Sequence, residues 1–537
     1  MTRNRLLLGL VVAMLWPICL TPGAAQAEEW RTEDVYTVMA AHSLNNLYAG
    51  IKIPQNPGLA EDSWNSAHQD SYCSESVGLS GPGSDKLQVI RQFNPYGFTP
   101  CMACNSKNQM IGVAFSQTER VYRLIVFDAD LRVLSVTKTA DYVPGLFGGG
   151  YFFLDKDENT IVSGNNRLAC YPTTHVASSN TVYELDPRWV SDDIVNMVAG
   201  SPEGNSLYSA LPVWCDDDPY LYWCLIAGSY AATPPGTLIS QAYIAVVRVV
   251  PKPEEASGCT TILLDAMPLP GQWNNNTFAV DEDGAYLVTN ALDENGVCND
   301  GYLHAVEFDR EPGSVSLRWS YRYENSGYLK PGMGNIGSGT TPTLLNDQYG
   351  NHLVAIGDNA YPQMHVVVVD RDDGSLVAKV PVLPKMRGAD EASLIGVGNR
   401  LVAENNFGHV WTPMYSQYAA NEPGMVMIDV DTNRLSHAGE IIWEDNRTCF
   451  LGMAMLCRES GIIFAATVDW HDASSATEGG MYYISAIDSW DGRTIWRIPL
   501  GRGRSYAHEY GGVYFDREGS VYVGTLQHLI TIKNYRK

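Results

Sequence analysis

Positive charge is scarce in this chain: 36 Lys and Arg stand against 60 Asp and Glu, a formal net charge of −24. So acidic a surface offers no basic footprint to nucleic acid or anionic lipid, which excludes both as partners. It favours solubility and leaves room for cations. Long apolar runs are equally scarce. The first, LLLGLVVAMLW, follows Arg3 and Arg5 and precedes Pro22 and a small-residue segment ending at Ala27. That pattern predicts a secretory signal over residues 1–27. No later stretch approaches the ~20 apolar residues of a membrane-spanning helix, so a soluble, secreted or periplasmic protein is expected.

Several catalytic signatures are missing. There is no G-x-S-x-G nucleophile elbow and no phosphate-binding P-loop. The HEYGG segment at His508 lacks the second His of a zinc-protease helix. Gly332, Gly334 and Gly337 satisfy G-x-G-x-x-G, but no βαβ unit surrounds them. The C-x-x-C at Cys101 and Cys104 has no following His, which argues against covalently attached haem. Of the 11 cysteines, Cys19 falls within the signal, leaving an even number for an oxidising compartment. Several disulfides are therefore expected. Cys215 and Cys224 flank an acidic loop and could close on each other, whereas Cys449 and Cys457 sit at the two ends of a predicted strand, beyond the ~7 Å Cα limit for a bridge.

What the chain has in abundance is a repeated paragraph: an apolar strand, an acidic or glycine turn, a second strand, then Asn, Asp or Glu. The copies begin near Gly149, Asn276, Thr340, Ala392, Leu451 and Gly511. Between them lie second hairpins such as Tyr122 to Ala140, Met364 to Val382 and Tyr482 to Leu500. Two hairpins per period of roughly fifty to sixty residues make a four-stranded propeller blade. The double-length gap after the first copy holds an extra blade around Leu207 to Met267, and another precedes it near Met110. The expected fold is all-β, a single eight-bladed β-propeller over residues 99–537, with seven blades as the alternative. The last copy supplies three strands, so LQVIRQF (Leu87 to Phe93) is expected to close the ring and remove its exposed edge. Residues 28–98 hold that strand, a loop and, from the spacing of Val35, Met39, Leu44 and Leu47, a short helix outside the ring over Thr32 to Leu47.

The hairpin AIDSWDGRTIW, with Asp491, Gly492 and Trp496, resembles the A-x-D-x-x-T-G-x-x-x-W signature of the quinoprotein (PQQ-like) β-propellers; FDREPGSVSLRW, with Asp309, Gly313 and Trp319, is a looser copy. The resemblance implies that the Trp docks on the neighbouring blade, as stacked repeats require. It does not carry function. PQQ itself is not expected, because the adjacent Cys-Cys pair that this family places beside the cofactor is absent.

In each blade the start of the first strand and the end of the second share one face, so the polar clusters converge on one mouth. They comprise Asn165 and Asn166, Asn276 and Asn290, Asp358 and Asn359, Glu404 with Asn405 and Asn406, Asp469 with His471 and Asp472, and His508 with Glu509. Hard oxygens drawn from several blades are what Ca²⁺ requires. The arrangement resembles the gluconolactonase, paraoxonase and strictosidine synthase type of propeller, which implies Asn276, Asp358, Asn359 and Glu404 as metal ligands, with His471 or His508, assisted by Asp469, carrying protons. Against this stands turn chemistry, for which Asn, Asp and Gly are the default residues. Trp273, Tyr323, Tyr328, Trp411 and Tyr415 could wall the mouth for a flat ligand, or simply pack between blades.

Two functions follow: a calcium-dependent hydrolase of lactones, esters or similar small substrates, or a non-enzymatic propeller that binds a ligand or protein. A quinoprotein dehydrogenase ranks third.

Overall fold

The repeats fold into eight antiparallel blades around one axis. A computed structural model describes residues 31–61, 67–116, 118–141, 150–177, 181–200, 204–232, 235–291, 300–334, 336–347, 349–409, 421–430, 439–469 and 480–536. Blades 1 to 7 span residues 102–141, 153–190, 206–269, 272–324, 343–382, 395–445 and 449–502. Each orders its strands in chain sequence from the axis outward, as consecutive hairpins dictate. In blade 3 a small extra hairpin, Ser229–Ala232 with Pro235–Ser240, rises between the second and third strands.

Blade 8 closes the ring as the sequence predicts. Tyr514–Phe515, Val521–Gly524 and His528–Asn534 provide three strands, and Lys86–Phe93 adds the fourth by pairing antiparallel with His528–Asn534. A fifth strand, Arg31–Thr37, then covers Lys86–Phe93. The helix expected over Thr32 to Leu47 is thus corrected to a strand and an irregular strap. Its helical spacing of apolar residues faced no core: Val35, Met39, Leu44 and Leu47 are 52%, 62%, 91% and 48% exposed. Pairing along a free sheet edge, with Arg91 bonded to Asp34 at 2.5 Å, outweighs a weak local periodicity.

The segment after the strap occupies the axis. Carbonyls of Ser71, Tyr72, Ser74 and Glu75 accept from the amides of Val280, Leu344, Gly396 and Leu456, one innermost strand in each of blades 4 to 7. Ser76–Val77 then pairs parallel with Met455–Cys457. These bonds satisfy inner edges that would otherwise lie orphaned in the channel, and residues 67–77 are buried throughout.

Tryptophan docking joins the blades, in the manner of the quinoprotein-type propeller. Trp443, on the outer strand of blade 6, donates its indole N–H to the Ser489 carbonyl of blade 7 at 2.9 Å and lies on Gly492. Gly492 has φ +72°, and a Cβ there would come within 2.6 Å of the ring. Trp319 of blade 4 repeats the contact on Arg371 and Gly374 of blade 5. Trp496, which carries the best match to the signature, is the exception. It is buried, but its indole nitrogen meets no acceptor. The turn that would receive it joins the third and fourth strands of blade 8, and there the closure of the ring replaces a hairpin.

The expected disulfides are corrected as well. The nine described cysteines outside the signal are free thiols. Cys224 lies buried in Leu221–Ala227, while the Cys215 thiol turns to the Asp218 carbonyl at 3.1 Å, so the two do not meet. Cys449 and Cys457 remain apart as expected, on two short strands that pair with opposite ends of Ile462–Asp469. Burial raises the thiols of Cys101 and Cys104 to about 12, which suits packing rather than redox exchange.

Candidate functional site: the channel mouth

The polar residues at the ends of the second strands do gather on one face, but most act as staples between blades. Asn359 donates to the carbonyls of Gly337 and Asp390 at 3.0 and 3.1 Å and accepts from the Asp390 amide at 3.0 Å. The Asn406 side-chain oxygen accepts from the amides of Glu391 and Ala392, and that of Asn166 from Leu207. Asn276 donates to Gly339 at 2.5 Å and accepts from Thr277 and the Tyr151 hydroxyl. Asp358 caps its own turn, taking the amides of Ala360 and His365 on one oxygen and His365 Nδ1 on the other at 2.9 Å. An Asn at a strand end thus orders a loop entering its own blade or the next, and Asp358 orders its own turn.

This usage bears on calcium. Of the four residues expected as ligands, Asn276, Asp358 and Asn359 have committed their oxygens to protein donors. Among the described residues no three His, Cys, Asp or Glu side chains are grouped to hold an ion. Calcium needs six to eight oxygens, so a site built on these four would share oxygens already bonded to protein donors.

Glu404 differs. Its Oε1 accepts from the Ala454 amide of blade 7 at 2.8 Å, but Oε2 has no donor and the residue is buried. Burial raises its carboxyl to about 8, partly offset by the amides of Ala454 and Gly452. Asp390, at the entry to blade 6, is fully buried; its carboxylate oxygens make no hydrogen bond of good geometry, although the amides of Ala392 and Glu404 lie near enough to lower its pKa in part. Burial, then repulsion from Glu404, pushes it well above the usual carboxylate range. Glu75 on the axial segment is raised in the same way by burial and by Asp70, Glu404 and Asp390. These acids act on one another without a neutralising Arg or Lys among their main influences, so each charge is costly unless a proton or cation compensates it.

Two buried imidazoles, close to one another, lie on loops of the same face. His508 lies at the start of blade 8, where its Nδ1 sits 2.8 Å from the Gly524 carbonyl. A carbonyl only accepts, so the proton resides on Nδ1 and the unpartnered Nε2 presents a lone pair. Burial lowers its pKa and keeps it neutral. His409 packs against Tyr510 at a ring tilt of 56° with centroids 4.3 Å apart; neither ring nitrogen has a partner, and burial, with His508 beside it, lowers its pKa to about 3.

An arm between blades 4 and 5 crosses this mouth. Lys330, 3% exposed, donates to the carbonyls of Ala360 and Gly388. Pro331 accepts from Gly408, and the Tyr510 hydroxyl reaches Gly332 at 2.8 Å. The G-x-G-x-x-G spacing is explained by this crossing. A Cβ on Gly332 would fall 2.5 Å from the His409 nitrogen, and one on Gly337 would overlap the Asn290 side chain.

The remaining expected residues lie elsewhere. Asp469 forms an ion pair with Arg497 at 3.0 Å, and that guanidinium stacks on Tyr483. His471, Asp472, Trp411 and Tyr415 lie outside the described residues. Trp273 and Tyr323 are buried, and Tyr328 packs edge-on against Tyr361. Sequence reasoning missed Glu75, Asp390 and His409. The only signal available was the occurrence of two acids and a His in segments without strand periodicity.

No protein-family model matches the sequence, and no curated protein matches it. Among solved structures, a europium-containing methanol dehydrogenase superposes with TM-score 0.49 at 9% identity, over 89% of this chain and 98% of that one. BamB from Moraxella catarrhalis gives 0.41 at 10% identity over 81% and 96%, and an oligogalacturonate lyase in complex with manganese gives 0.37 at 9% over 86% and 96%. Likeness at this level assigns no activity.

Proposed function

We propose that the protein is an exported hydrolase of small neutral esters or lactones whose acid–base groups sit at the channel mouth. The observation that carries this reading is the buried set of unpartnered polar atoms there: Glu404 Oε2, both Asp390 oxygens, His508 Nε2 and both His409 nitrogens. Buried polar atoms are ordinarily satisfied, so such a concentration fits a ligand-directed site. A neutral imidazole with a free lone pair is a general base, and a carboxyl that holds its proton near pH 7 is a general acid. His508 Nε2 takes a proton from the attacking water. Glu404 gives one to the departing alkoxide.

The test is turnover of a panel of p-nitrophenyl esters and γ- and δ-lactones by the mature protein, with and without chelator. Glu404→Gln and His508→Asn should each reduce kcat by at least about a hundredfold. Loss of turnover with chelator and recovery with Ca²⁺ would support the calcium requirement. Absence of turnover across the panel would favour a second reading, a propeller that binds without catalysis, to which the closure of the axis by residues 67–77 and the arm lends weight.

A further inference from the structure

Beside the acids lies a relay that the reading above does not use. Thr341, two residues ahead of the innermost strand of blade 5, places its Oγ1 3.0 Å from His68 Nε2. His68 Nδ1 lies 2.5 Å from Glu75 Oε1. All three residues are buried, at 0%, 2% and 0% exposure. The order is hydroxyl, then Nε2, then Nδ1, then carboxylate, the arrangement in which an imidazole activates a hydroxyl while an acid orients it. His68 also lines a small cavity with Tyr151, Ala210 and Thr277, with room for about one water. The arm that crosses the mouth runs directly into Thr341 through Ser338 and Thr340, which bond to each other at 2.9 Å.

From this geometry we infer that Thr341 is the nucleophile of the hydrolase, with His68 as its base and Glu75 as the group that holds His68 in place. The inference rests on the hydrolase reading. Thr341 Oγ1 bonds to the acyl carbon of the substrate and its proton passes to His68 Nε2. The acyl–oxygen bond to the leaving alkoxide breaks, and that alkoxide leaves with the proton of Glu404. A water then bonds to the acyl carbon and gives its proton to His508 Nε2, the acyl–Oγ1 bond breaks, Thr341 recovers its proton from His68, and the proton on His508 restores Glu404. No oxidant, reductant or further reactant is needed. Burial keeps His68 neutral, and its Nε2 accepts in the state in which Glu75 is ionised and takes a hydrogen bond from Nδ1.

The same contacts tie the axial segment to blade 5, so the decisive readout is covalent. The mature protein is mixed with p-nitrophenyl acetate, quenched in acid and analysed by peptide mass spectrometry, with an alkyl fluorophosphonate as a second probe. One acetyl group on Thr341 is expected. It should persist in Thr341→Ser and vanish, with turnover down at least a hundredfold, in Thr341→Val and His68→Gln. Circular dichroism and the thermal melt of each variant verify that it is folded. Ester turnover that survives Thr341→Val with no adduct on Thr341 overturns the nucleophile and leaves the hydrolase standing. Neither turnover nor adduct with either probe overturns both.

Discussion

Replacing Glu404 by Gln tests the mouth through folding rather than activity. The side chain is buried, its Oε1 is fixed by the Ala454 amide, and its carboxyl is raised from the usual 4.5 to about 8. A carboxyl raised on folding binds its proton more tightly in the native state, so between those two values the native state holds more protons than the unfolded chain. Stability then falls as pH rises through that window and levels off above about 8. At roughly 1.4 kcal/mol per unit the interval sets a ceiling on the order of 5 kcal/mol for this one group. Titration shared with Asp390 and Glu75 spreads the loss over the cluster. Gln keeps the Oε1 acceptor and cannot ionise, so the variant should lose less stability between pH 5 and pH 9 and should exceed the wild type at pH 9. Urea unfolding at unit pH intervals measures this. Parallel pH profiles for variant and wild type would refute the argument that Glu404 is a buried, uncompensated acid.

Other outcomes follow from the packing. Gly492→Ala forces a Cβ into the Trp443 ring at a left-handed backbone position and should destabilise the fold by about 1–3 kcal/mol in urea, while Trp496→Phe, which breaks no indole hydrogen bond, should cost less than Trp443→Phe. Arg371 is 1% exposed, pairs with Asp281 at 2.8 Å and covers Tyr72 of the axial segment; Arg371→Met should cost about 3–5 kcal/mol by leaving Asp281 alone. Ellman's reagent should react slowly with the native protein and with all nine described cysteines after unfolding without reductant, because those thiols are free and mostly buried. A native-like count of reactive thiols after unfolding would show that they pair.

The blades were legible because strand alternation, turn residues and repeat length all depend on local sequence. Closure by Leu87 to Phe93 was legible for a topological reason, since three strands at the C-terminus need a fourth. The strand at Arg31–Thr37 was not, because what fixes it is a distant sheet edge, with Arg31 opposite Gln92 and Thr37 opposite Lys86, and its apolar spacing mimics a helix. At the mouth, the sequence showed where Asn359 and Asn406 would lie but not how their side chains are spent, since an amide at a strand end serves a loop and a ligand equally well. Glu75 and His68 were invisible for a different reason. They sit on a segment whose course is set by the inner edges of four blades rather than by any pattern of its own.

The most direct test of the hydrolase claim is the ratio of ester and lactone turnover between the wild type and folded Glu404→Gln and His508→Asn variants. The account predicts measurable wild-type hydrolysis that falls at least about a hundredfold in each variant. Hydrolysis unchanged by either substitution, or none on any substrate of the panel, would contradict it.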